Sequence, residues 1–163
     1  MHSGSSRQPS VPYKLIFGSD KENGITAYLK GHVSTPGLQL DELFNEGNPY
    51  GNTKLSISID AKQHKHSGFF GNIKANIDEI EYKKYTYNDI HLSGNFKKNS
   101  FDGMVQVNDP NGQLYAEGMF RHEGQNSMFN FTANLQHFRP DSLNLIDKYE
   151  SPDISLSLNA DFT

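Results

Sequence analysis

Three short stretches carry residue types that do chemistry. His64-Lys65-His66 sets two imidazoles at i and i+2. On a strand they share one face, and paired imidazoles suit a transition metal. The intervening lysine and the lack of a third ligand nearby favour a solvated turn. Asp78, Glu79 and Glu81 group three carboxylates, and paired carboxylates serve glycoside hydrolysis. Lys83 and Lys84 follow at once, which suits a solvated bulge better. Asp109-x-Asn111-Gly112 has the opening spacing of a calcium loop, but the later ligands and the closing glutamate are missing. It reads as a turn. His32, His91, His122 and His137 fall on polar phases and read as wet. No serine elbow, Walker loop or dinucleotide-binding glycine turn occurs. The expectation is a non-enzymatic chain with no catalytic residue, no metal and no cofactor.

Bulk composition narrows the class. The 163 residues suffice for one domain with a core. Hydrophobic content is 34% and mean hydropathy −0.70, low for a compact globule. Aromatics are Phe and Tyr, with no Trp. That balance suits a sheet with one wet face. A net charge of −4 gives no footprint for nucleic acid or an anionic membrane. With no cysteine, disulfides, thiolate chemistry and Cys-based zinc sites are excluded. No apolar run approaches the ~20 residues that span a bilayer as a helix.

The strongest signal is alternation between Tyr87 and Phe138. Ile90, Leu92 and Phe96 stand at every second position, as do Phe101, Val105 and Val107, then Leu114 and Phe120, then Phe129, Phe131 and Leu135. Alternate side chains of a strand point to opposite faces, so each run has a greasy face and a wet one. Lys97-Lys98-Asn99-Ser100 and Asp109-Pro110-Asn111-Gly112 supply turns, and the whole reads as an antiparallel meander. Before it, strands are expected over Tyr13–Phe17, Ile25–Val33, Lys54–Lys62 and Gly68–Tyr82. Leu55, Ile57 and Ile59 are expected to share the buried face with Phe101, Val105 and Val107, with Ser56 and Ser58 opposite and exposed; Ile73 and Ile77 continue the apolar phase. Ile80 and Tyr82 break that phase, which predicts a bulge near Asp78-Glu79. Residues 1–12 read as a disordered leader and 13–163 as the β domain.

Pro36–Phe44 and Pro140–Tyr149 each read as a short helical turn packed on the sheet. Each is followed by a Ser-alternating strand, the second through Ile154, Leu156 and Leu158. The duplication suggests a loose repeat, and the expectation is an excised piece of a longer β array. The fold class is therefore all-β: a curved antiparallel sheet, groove-like or an open sandwich, with two short helical turns.

The order Tyr87-Asn88-Asp89-Ile90-His91-Leu92-Ser93-Gly94-Asn95-Phe96, Phe101-Asp102-Gly103, Val107-Asn108-Asp109-Pro110-Asn111-Gly112-Gln113-Leu114 and the Leu143-Asn144-Leu145 turn resembles the repeats of TamB-like translocation and assembly module proteins. These belong to the AsmA-like superfamily of Gram-negative bacteria. The resemblance implies a periplasmic segment of a protein anchored in the inner membrane. It implies a hydrophobic groove for phospholipid acyl chains or nascent outer-membrane β-strands, and an outer-membrane assembly partner. The groove lining would be Leu55, Ile57, Ile59, Ile73, Ile77, Ile90, Leu92, Phe96, Val105, Val107, Leu114, Phe131, Leu135, Ile154, Leu156 and Leu158. Two other readings stand beside it. One is a carbohydrate- or adhesin-type β-sandwich module with Tyr50, Tyr85 and Tyr115 as exposed aromatics. The other is a purely structural spacer in which the stripe is ordinary core.

Overall fold

The computed structural model describes residues 13–40, 49–146 and 153–162. The expected leader and the later parts of both expected helical turns, 41–44 and 147–149, lie outside that set. Among the described residues nine strands form one antiparallel sheet whose spatial order is the chain order. They are β1 (Tyr13–Asp20), β2 (Ile25–Gln39), β3 (Tyr50–His64), β4 (Gly68–Tyr82), β5 (Tyr85–Lys97), β6 (Ser100–Asp109), β7 (Gly112–Glu123), β8 (Asn126–Phe138) and β9 (Ile154–Phe162). The sheet is open and uncurled, and no second layer covers it among the described residues. The all-β antiparallel reading holds; of the two forms expected, the described residues build the open sheet and no sandwich.

Short turns set the register. Lys83 and Lys84 both have positive φ, at 50° and 65°. Two central residues in that region make the primed turn whose twist matches a hairpin, though asparagine and glycine adopt it at lower cost. Lys83 N–H donates to Pro49 O at 2.8 Å, and Asn144 Nδ2 to Lys83 O at 2.9 Å, holding the turn from both sides. Lys98-Asn99 joins β5 to β6, and Lys98 N–H donates to Phe69 O at 2.6 Å.

The expected bulge is present. Lys54 pairs with Glu79 and Leu55 with Ile77, which leaves Asp78 extra on β4. The slip continues into β5, where Asp89 takes φ 50° and no register shift separates Ile77–Ile90 from Glu79–Asn88. Asp89 tolerates this conformation because its carboxylate accepts from Asn108 Nδ2 at 2.7 Å and meets His91 Nε2 at 2.7 Å. Ile80, Tyr82 and Tyr87 are thereby returned to the apolar face.

The helical expectations need correction. Pro36, Gly37, Leu38 and Gln39 belong to β2, where Leu38 pairs with Thr53 after a register shift. Proline is tolerated there because the shift removes the ladder bond its missing N–H would have made. Helix begins only at Leu40, and 41–48 lie outside the described residues. In the second segment the chain does wind. Leu143 N–H donates to Arg139 O at 3.1 Å and Leu145 N–H to Pro140 O at 2.9 Å.

Candidate functional site

Opposed residues of an antiparallel pair point to the same face, so register builds ladders across the sheet. One runs Val33, Ile57, Ala75, Leu92, Val105, Ala116, Ala133, Leu158 from β2 to β9. A parallel ladder runs Leu55, Ile77, Ile90, Val107, Leu114, Leu135, Leu156 from β3 to β9. Every groove residue named from sequence lies on this one face, Ile59, Ile73 and Phe131 in a further ladder and Ile154 opposite Phe138. Most are half-buried rather than buried. Among the described residues, the buried apolar side chains are Ala61, Ala75 and Leu143. The expected burial of Leu55, Ile57, Ile59, Val105 and Val107 is therefore corrected to half-burial, and Phe101 is 39% exposed. A single layer leaves them without a facing partner. On the opposite phase Ser58 is exposed and Ser56 half-buried.

A fourth ladder is not visible as a unit in any one stretch of sequence. Phe96, Phe101, Phe120, Phe129 and Phe162 stand in register on β5 to β9. Phe120 and Phe129 rings lie 4.8 Å apart. The signal was available: a two-residue tip at Lys98-Asn99 puts Phe96 opposite Phe101, and one at Gly124-Gln125 puts Phe120 opposite Phe129. Beside this ladder lie Gly94, Gly103 and Gly118, mutually opposed on β5, β6 and β7. The Phe101 ring covers Gly94 and Gly103, so a side chain at either would strike it. The glycines open a shallow furrow of about 230 Å3 bordered by Leu92, Phe101, Val105, Ala116 and Phe131.

One end of the apolar face is closed. Tyr50 and Tyr82 rings lie 5.0 Å apart, and Tyr85 and Tyr87 meet edge-on at 4.8 Å. The turn at 140–145 folds over them, and the Tyr87 hydroxyl donates to Leu143 O at 2.7 Å. Asp109, 1% exposed, is the hub beneath. It accepts from the Tyr85 hydroxyl at 2.5 Å, Asn111 N–H at 2.8 Å and Asn88 N–H at 3.1 Å. Burial, then the bond to Asp109, pushes the Tyr85 phenol up to about 12; burial also raises Tyr87. The stretch read only as a turn thus also anchors the cap. Thr53, fully buried nearby, has no partner for its hydroxyl among the described residues.

The other candidate groups separate. His64 Nδ1 faces the backbone N–H of His66 and Ser67 at 3.2 and 3.3 Å, closing its turn. Among the described residues no three His, Asp or Glu side chains come together. Glu79 pairs with Lys54 at 2.7 Å, Glu81 accepts weakly from Asn52 N–H at 3.4 Å, and Asp78 sits on the bulge. His91 is half-buried against Asn76 at 2.9 Å. Of the aromatics considered for a polar-face platform, Tyr50 and Tyr85 stand in the cap. Tyr115 alone reaches the polar face, its hydroxyl donating to Glu117 at 2.7 Å, which pushes its phenol above the usual range. No protein-family model, curated protein or solved structure matches the chain.

Proposed function

We propose that the chain is a non-enzymatic segment of a TamB-like periplasmic protein, whose open apolar face carries acyl chains or nascent outer-membrane β-strands. The supporting observation is the face itself. It runs in register across β2 to β9, half-buried and uncovered among the described residues. Complete burial of one such side chain contributes ~1.5–3 kcal/mol. A single layer forgoes part of that at many positions, and an apolar cargo would recover it. No position dominates, so cargo gains similar free energy at successive ladders and can move along them. The tyrosine cap closes one end; the phenylalanine ladder, with Phe162 60% exposed and Phe129 44%, borders the other. Anchoring in the inner membrane and an outer-membrane partner belong to the same proposal.

Photo-crosslinking tests it. A benzophenone side chain at Ile57, Leu92 or Val105 should capture phospholipid acyl chains from mixed micelles, and one at Ser58 or Gln106 should not. Equal capture from both phases, or none from the apolar phase, would leave a structural spacer as the reading.

A further inference from the structure

The polar face carries its own ordered row. Lys62, Phe70, Lys97, Ser100 and Arg121 stand on consecutive strands β3 to β7, each the register partner of the next. Cations thus occupy alternate strands, about 10 Å apart at the backbone given the usual strand spacing. An aromatic ring and a hydroxyl fill the positions between. One register row further in stand Asp60, Asn72, Asn95 and Asp102. The two rows border a furrow of about 550 Å3.

The charges are only partly used. Lys30 meets Asp60 at 3.4 Å, and Arg121 lies 3.8 Å from Glu123. Lys62 and Lys97 are exposed and have no ion-pair partner among the described residues. Phe70 is half-buried, the one aromatic in the row and flanked by both lysines.

We infer that this furrow binds a linear acidic oligosaccharide with a carboxylate on alternate sugars. Carboxylates and amides side by side accept from and donate to vicinal hydroxyls. Phe70 offers an apolar plane to the C–H face of a pyranose ring. Lys62, Lys97 and Arg121 meet anions recurring at every second strand, because a sugar unit in an extended chain is about as long as one strand spacing. Asp60 and Asp102 argue against a nucleic acid, whose phosphates recur at every unit and would be repelled. The inference concerns the face opposite the apolar ladders and does not rest on them.

Calorimetric titration of the whole chain with a hyaluronan octasaccharide, against its methyl-esterified neutral form, tests it. The acid should bind at least ten-fold more tightly than the ester, and its affinity should fall with salt. The exposed pair Lys62→Gln with Lys97→Gln should weaken the acid at least ten-fold and flatten the salt dependence. Phe70→Ala should weaken it while leaving the salt dependence unchanged, with circular dichroism reporting the fold. Lys83→Gln with Lys84→Gln removes equal charge from the far end and should change nothing. No binding of the acid, equal binding of the ester, or an equal loss from the far-end pair overturns the inference.

Discussion

Val105→Asp distinguishes an open apolar face from a closed core. Val105 stands in β6 between Leu92 of β5 and Ala116 of β7 and is half-buried. Complete burial of a valine contributes at least ~1.5 kcal/mol, so removing a half-buried one loses about 1 kcal/mol. The poorer fit of aspartate to a strand adds up to ~1 kcal/mol. On an uncovered face the new carboxylate keeps its water, and no further term arises. The expected loss is therefore about 1–2 kcal/mol. In a closed core the same carboxylate would lose its solvation at a further cost of several kcal/mol. Urea unfolding followed by circular dichroism measures the difference. The open face also predicts an ordinary carboxylate, near 3.9, so the loss should stay constant between pH 6 and 8. A loss above ~4 kcal/mol, or one that shrinks as the pH falls towards 5, would mean the face is covered in solution. The reasoning that makes it a path for cargo would then fail.

Other perturbations test other parts of the sheet. Asp109→Ala should destabilise by about 3 kcal/mol or more, because Asn88 N–H, Asn111 N–H and the Tyr85 hydroxyl each lose an acceptor; a loss under ~1 kcal/mol in urea unfolding would remove the hub from its role. The Tyr85 phenol is raised from 10.0 to about 12 in the folded chain, so its contribution is complete below pH 10 and lost as pH rises from 10 towards 12. Tyr85→Phe should flatten that alkaline loss, and an unchanged alkaline profile would refute the assignment. Lys83→Asn with Lys84→Gly should stabilise by about 1 kcal/mol by relieving two positive-φ positions; no rise in melting temperature would count against it. β9 is an outer strand of the described sheet with Leu156, Leu158 and Phe162 exposed and no Lys, Arg or Pro, so the chain should self-associate with concentration. Leu158→Lys should reduce that in sedimentation, and equal association by this variant would rule the edge out.

What was readable in the sequence follows from what each signal measures. Alternation reports the face of a side chain, so every residue assigned to the apolar phase, from Leu55 to Leu158, falls on one face. The parity break at Ile80 and Tyr82 located the bulge for the same reason. Alternation does not report what lies opposite a face, so burial was expected where only half-burial occurs. Pro36 and the Leu40, Leu43, Phe44 spacing suggested helix, but a register shift lets β2 run through the proline to Gln39. Asp109 gave no local signal of its burial, because Tyr85 and Asn88 reach it from another strand. The polar row from Lys62 to Arg121 depends on register across five strands, which no single window of sequence contains.

Because each strand bonds only to its neighbours in sequence, the protein is a one-dimensional chain of hairpins. Among the described residues no distant strand closes the sheet, so every pairing can form as soon as its two strands exist. Contacts are local, which favours fast folding. Opening one interior pair leaves two smaller sheets, whereas opening an outer pair frees one strand only. Cooperativity should therefore be graded, as in repeat proteins, with hydrogen exchange slowest at the centre and faster towards β1 and β9. The sheet would behave as a zipper that frays from both sides and can lengthen or shorten by whole hairpins without being redesigned.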